Sequence, residues 1–318
     1  MLVSAWLACP LLAWALEPEV QAAKDEGMRL YGLGISGEII PYLEPAAEAG
    51  DVEAMYYLGE VHRLRHMGLT EEAMEWYLQA AEQGDPYAML RLFQGGACGA
   101  GDECPEDAEG WREKAQAETL PKAEEGDTEA MLALNDIYRA LDEDGEAQDW
   151  LEKAAEQGNP EAQTRLGKYI LDGQGWYFLE SRRLEAAAEW FRKAAEQGYV
   201  PAMDRLAATL SNLERYKDAW EWTVKSSEGG DLNGRKWLAN CYLNPDDAPR
   251  CNTEKKPVIG WAILYAINEE VGGPSSERSM RLRRDQVTDE QREEAKSIAD
   301  EWLHKQPPLS NFPPRFGF

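Results

Sequence analysis

Apolar and polar positions along this chain alternate with a helical period, and the pattern itself comes back. In the segment from Ala73 to Gly84, Ala73, Trp76, Ala80 and Ala81 share one helical stripe, and Glu and Gln take the opposite side. The same text returns from Ala147 through Trp150 to Gly158 and from Ala187 through Trp190 to Gly198, and more loosely from Ala219 through Trp222 to Gly230. Small Ala faces allow helices to approach closely, and the Trp is expected to fill the gap between neighbouring hairpins.

Each helix of this kind closes on a Gly, and a small residue and a Leu follow that Gly by four and eight positions. The sets are Gly50/Ala54/Leu58, Gly84/Ala88/Leu92, Gly126/Ala130/Leu134, Gly158/Ala162/Leu166, Gly198/Ala202/Leu206 and Gly230/Gly234/Leu238. The glycines are 34, 42, 32, 40 and 32 residues apart, room for two short helices and two turns. The Gly suits a left-handed C-terminal cap, and Asp51, Asp85, Asp127, Asn159 and Asp231 directly after it can cap the next helix. A unit that buries its apolar face only by stacking on its neighbours offers a binding surface more readily than a catalytic pocket.

The pattern A-x-x-x-L-G followed by A-x-x-W-x-x-x-A-A-E-x-G resembles the Sel1-like repeat, a relative of the tetratricopeptide repeats, with Ala162 to Gly198 as its nearest copy. The resemblance covers about residues 39 to 272, with Tyr42 in the Trp slot of the first unit. It implies an all-α fold, a right-handed α-solenoid of about six to seven helix-turn-helix repeats with a C-terminal capping helix. The organisation expected is an export signal at 1–15, the repeat array at 16–272, a capping region at 273–305 and a Pro/Phe-rich tail at 306–318. Val258 to Ile267 reads as a last second helix, and Ala295, Ile298, Ala299, Trp302 and Leu303 form the stripe of the cap. The third unit departs from the pattern: Trp111 stands fifteen residues before Gly126 instead of eight, which requires a helix that is longer or broken at Pro121.

Charge changes the picture of what can bind. With 33 Lys and Arg against 59 Asp and Glu, the formal charge of −26 repels nucleic acid and anionic lipid and favours a basic protein partner, although solubility alone also explains it. Residues 1–15 carry no charged side chain and end in Ala13-Trp14-Ala15, which predicts an export signal and a periplasmic location. Cys9 follows Trp6-Leu7-Ala8, which departs from the lipoprotein motif at its first position, so lipid attachment there is the less favoured alternative. No later apolar run reaches the length of a membrane span.

Beyond the signal, four cysteines form two local pairs, Cys98 with Cys104 and Cys241 with Cys251, which predicts two disulfides pinning turns within units. Zinc is disfavoured, since neither pair has C-x-x-C spacing and no His is near. His62 and His66 are one helical turn apart but enclose Arg63, Leu64 and Arg65, not the Glu of a metalloprotease helix. The run Asp142 to Glu146 has its Gly fourth where a calcium loop requires sixth, and no Ser sits in a nucleophile elbow. The sequence therefore predicts no enzyme, no metal and no cofactor.

Function is expected where the repeat text breaks. The loop after Asp172 carries Trp176, Tyr177 and Phe178, three consecutive aromatics that cannot share one helical stripe; they either anchor a partner or cover a seam between units. Exported acidic proteins of this resemblance include immunity proteins that protect Gram-negative bacteria from type VI secreted lipases, notably of the phospholipase D class. The resemblance thus implies a basic-surfaced secreted phospholipase toxin as partner. An envelope scaffold for polysaccharide or cell-wall assembly is the alternative, and an enzyme acting on β-lactams is a third reading that lacks a recognisable nucleophile.

Overall fold

The computed structural model describes residues 16–32, 38–94, 108–173, 175 and 177–303. The signal segment with Cys9, the Cys98 and Cys104 pair, Trp176, His304 and the tail 306–318 lie outside the described residues. Helices succeed one another as α1 Pro18–Gly32, α2 Ile40–Glu48, α3 Val52–His66, α4 Glu71–Glu82, α5 Pro86–Gln94, α6 Ala108–Glu124, α7 Thr128–Ala140 and α8 Asp144–Glu156. They continue as α9 Pro160–Leu171, α10 Glu180–Glu196, α11 Val200–Asn212, α12 Tyr216–Glu228, α13 Leu232–Leu243, α14 Pro257–Val271, α15 Gly273–Arg283 and α16 Asp289–Leu303. From α1 to α15 each helix packs on the next, and α16 closes the series against α14, so the described chain is an all-α solenoid.

All six predicted junctions are built alike. Gly50, Gly84, Gly126, Gly158, Gly198 and Gly230 take φ between +87° and +99°. At Gly50 the Gly N–H donates to Ala47 O at 2.9 Å and the Asp51 N–H to Ala46 O at 3.0 Å, the paired bonds of a Schellman cap. The same pair of bonds recurs at the other five glycines. The carboxylate or amide that follows accepts from the next helix at 2.8 Å for Asp51 to Ala54, Asp85 to Ala88 and Asn159 to Ala162. Asp127 and Asp231 do the same, whereas Tyr199 supplies no side-chain cap. Each such cap contributes about 1 kcal/mol and satisfies a backbone donor that would otherwise face the seam between units.

The core differs from the sequence expectation in one register. In the three close copies of the repeated text the Trp does not fill the gap between hairpins and the residue after it does, whereas Trp222 of the looser copy is itself buried. Tyr77, Leu151 and Phe191 are fully buried, while Trp76, Trp150 and Trp190 are half-buried at the edge of the core. The reason is angular, since the position seven before the capping Gly lies closer to the line through Ala73, Ala80 and Ala81 than the position eight before it. The first helix receives the buried ring at its Leu-Gly pair. A Cβ on Gly167 would meet the Phe191 ring at 2.7 Å, and one on Gly59 would meet the Tyr77 ring at 2.5 Å. Burying each of these rings contributes about 1.5–3 kcal/mol, against about 0.5–1 kcal/mol for the Trp–Lys contact beside it. Those contacts recur three residues apart: Lys153 Nζ lies 3.9 Å from the Trp150 ring centroid, Lys193 3.8 Å from Trp190 and Lys225 4.1 Å from Trp222.

In the third unit α6 is longer and unbroken. Glu118 stands in the Trp register, and Trp111 sits two turns earlier on the same helix. Pro121 falls five residues before its Gly, as Pro45 does in α2, at the outward position that Lys153, Lys193 and Lys225 fill elsewhere. Pro there gives up one i→i−4 hydrogen bond near the end of the helix, and both prolines are exposed. At the other end, α1 lies ahead of the span that the repeat text covers. It serves as the first helix of a hairpin with α2, and its buried Lys24 binds Asp51 and Glu53 of α3 at 2.8 and 2.9 Å.

Candidate functional site

The first helices of successive hairpins stand side by side, with α5 against α7 and α9 against α11. Charged pairs join this row across its seams. Glu60 of α3 is buried, accepts hydrogen bonds from Arg91 of α5 at 2.6 and 3.0 Å, from Arg63 at 2.7 Å, and from the Tyr77 hydroxyl at 2.6 Å. Burial works against the Glu60 carboxylate, but the hydrogen bonds and charges of Arg63 and Arg91 outweigh it and hold its pKa below the ordinary range. Further along, Asp136 of α7 takes Arg165 of α9 in a fork at 2.8 and 2.9 Å, and Glu161 adds a second contact at 2.8 Å. Burial alone would lower the Arg165 pKa; the two carboxylates hold it above its ordinary value.

These two pairs share a register. Glu60 and Asp136 each lie ten residues after a capping Gly, and Arg91 and Arg165 each lie seven after the next one. No sequence signal marked this, because the partners are 31 and 29 residues apart and their spacing becomes visible only once the capping glycines are aligned.

The next seam opens into a cleft of about 270 Å³. Its walls are Arg139 of α7, Glu161, Thr164, Arg165, Lys168 and Tyr169 of α9, Asp172, Tyr199, and Pro201 and Arg205 of α11. Arg139 packs over Tyr169 at 5.8 Å from the ring centroid, and burial pushes the Tyr199 phenol above its ordinary pKa. Tyr169 separates this cleft from a smaller one of about 230 Å³ lined by α8, α9 and α10 residues together with Gly175 and Tyr177.

Of the predicted interface aromatics, Tyr177 therefore leans into the second cleft beside Trp190 and stays 38% exposed, whereas Phe178 is 95% exposed. Leu179, which the sequence reading did not single out, is 61% exposed and extends that apolar tip. Cys241 of α13 and Cys251 in the loop before α14 are joined by a disulfide with Cα atoms 5.1 Å apart. His62 and His66 sit in the last turns of α3, and burial lowers the His62 pKa. Among the described residues no group of three or more His, Cys, Asp or Glu side chains is placed to hold a metal ion, and no helix is long and apolar enough to cross a membrane.

The Sel1 repeat family model matches residues 52–85, 143–159 and 160–199. No curated protein matches the chain by sequence. Among solved structures, a Sel1 repeat protein from Oxalobacter formigenes is 20% identical with a TM-score of 0.41, covering 83% of this chain and 100% of that one. A protective antigen from uropathogenic Escherichia coli displaying an SLR fold is 20% identical with a TM-score of 0.37, covering 93% and 78%. An immunity protein from Pseudomonas aeruginosa is 17% identical with a TM-score of 0.40, covering 90% and 82%.

Proposed function

Because this chain carries Sel1 repeats, we propose that it is a non-enzymatic protein-binding module, and specifically a periplasmic immunity protein. Its partner in this reading is a type VI secreted lipase of the phospholipase D class, which it binds and neutralises. The observation that carries the reading is the division of labour in the repeat: the recurring Ala, Leu, Gly and Asp residues are spent on packing and capping, leaving an outer surface under a net charge of −26. A phosphodiesterase acting on phospholipid needs a cationic, phosphate-accepting cleft, and a stiff acidic solenoid can occlude such a cleft without chemistry of its own. The Cys241–Cys251 disulfide suits an oxidising compartment.

The test is reconstitution. Mature protein mixed with a secreted lipase encoded beside it is expected to elute as one stoichiometric complex and to abolish lipid hydrolysis. Failure to bind any neighbouring effector, together with loss of an envelope polymer on deletion, overturns this reading in favour of a scaffold.

A further inference from the structure

At the seam between α9 and α11 the acid–base register shared by the α3–α5 and α7–α9 seams gives way to two bases, whereas the same positions at α5–α7 hold Gln94 and Ala133 and at α11–α13 hold Ala208 and Trp237. Where Glu60 and Asp136 stand ten residues after their capping Gly, Lys168 stands ten after Gly158; opposite it, Arg205 stands seven after Gly198, in the register of Arg91 and Arg165. Two seams thus close on an acid and a base, and this one brings two bases to the same place. Both are exposed, and neither makes an ion pair with a described residue. Of the carboxylates nearby, Asp136 and Glu161 hold Arg165, and Asp204, beside Arg205, accepts from Asn233 of α13, while Asp172 lines the cleft one helical turn after Lys168 without an ion pair to it. Arg139 adds a third cation on the far wall.

We propose that the cleft between α9 and α11 binds an acidic peptide segment of a partner protein, whose carboxylate takes the place between Lys168 and Arg205 that Glu60 fills at the α3–α5 seam and Asp136 at the α7–α9 seam. Such a ligand supplies from outside the anion that the register lacks, and relieves the repulsion between two neighbouring cations. A peptide fits better than a lone ion, because the cleft of about 270 Å³ far exceeds one carboxylate and its walls include the Tyr169 and Tyr199 rings. A nucleic acid does not fit, since its extended charge would meet the repulsion of a chain at −26 beyond this one cleft. The inference goes beyond the toxin reading and stands on the register alone.

The experiment uses the full chain and a fluorescein-labelled Gly-Phe-Glu-Asp-Phe-Gly peptide, with the Gln/Asn peptide as its neutral counterpart and inorganic phosphate as competitor. Anisotropy is expected to show saturable binding of the acidic peptide and at least about tenfold weaker binding of the neutral one, about the difference one charge-assisted contact makes. Lys168→Glu restores the acid–base pair with Arg205; it is expected to fold normally, unfold at a higher temperature and lose the peptide about tenfold or more. Arg205→Gln is the second variant, expected to weaken the peptide without that gain in stability, and Lys296→Ala on α16 serves as the unaffected control. Equal binding of both peptides, unchanged binding in Lys168→Glu and Arg205→Gln, or full displacement by millimolar phosphate overturns the proposal. Loss of the toxin complex with peptide binding intact would overturn only the function proposed above.

Discussion

The Arg250 guanidinium carbon lies 3.3 Å from the centroid of the Trp237 ring. Arg250 is almost fully buried, and it reaches α13 on a loop that the Cys241–Cys251 disulfide ties back to the same helix. Burial lowers the Arg250 pKa to about 10, with Asp204 opposing the shift. Opening the disulfide therefore frees a costly buried cation as well as a loop. Changing both Cys241 and Cys251 to Ser is expected to destabilise the fold by about 2–3 kcal/mol, the loop-closure value for a separation of 10 residues. Urea unfolding with and without reductant measures it, and the near-ultraviolet circular dichroism of Trp237 should fall in parallel.

Two glycines nine residues apart in sequence should fail for different reasons. Gly167→Ala puts a Cβ against the Phe191 ring at 2.7 Å, whereas Gly158→Ala meets nothing within 4 Å but forces a φ of +98°. Overpacking costs about 1–3 kcal/mol and the left-handed conformation about 1–2 kcal/mol. Phe191→Leu should partly rescue the first substitution and leave the second unchanged, as read from denaturation midpoints of the single and double variants.

Glu60→Ala removes the shared partner of Arg63, Arg91 and Tyr77. Breaking the buried Glu60–Arg91 pair by removing its acid is expected to cost about 3–5 kcal/mol, more than breaking an exposed pair such as Lys296–Glu293. Because the folded pKa of Glu60 lies below its unfolded value, its contribution is present above the ordinary Glu range and is lost as pH falls through the folded value. The stability gap between native protein and Glu60→Gln should accordingly narrow on acidification below about pH 4, near the unfolded Glu value.

Asp204 carries the opposite sign. Burial, with Asp231 beside it, pushes its pKa up to about 6 against the pull of Arg205 and Arg250. A carboxyl whose folded pKa is raised binds its proton more tightly when folded, so stability falls as pH rises from about 4 to about 6 and stays lower above that. Asp204→Asn keeps an acceptor for Asn233 without the charge, and is expected to raise the unfolding midpoint at pH 8 while changing little at pH 4. The size is of the order of 1–3 kcal/mol, and melting curves across that window measure it.

Much of the scaffold was legible in the residues themselves, because capping and helix packing act over four to eight positions. Gly158, Asn159 and Ala162 announce a junction by type and spacing, and the structure places the hydrogen bonds accordingly. The burial of Phe191 in preference to Trp190 was not legible, since the larger ring draws the eye while the helical angle favours its neighbour. Helix α1 lies inside the array expected at 16–272 but carries no repeat text, for a related reason: its buried positions include Lys24, which reads as a surface residue until Asp51 and Glu53 neutralise it. The cleft was the least visible feature, because Lys168 and Arg205 are unremarkable alone and acquire meaning only against Glu60–Arg91 and Asp136–Arg165.

The Gly–Asp junction has a consequence for how such a chain can change over generations. The capping bonds of the junction are made within about ten residues, and none of them reaches the loop at the other end of the hairpin. That loop can lengthen or be replaced while the next unit still departs at the same angle, as the 32- and 42-residue intervals between capping glycines already illustrate. Inheritance of shape is thus uncoupled from inheritance of the loops: a lineage can rewrite the exposed segment around Phe178 and keep the array that presents it.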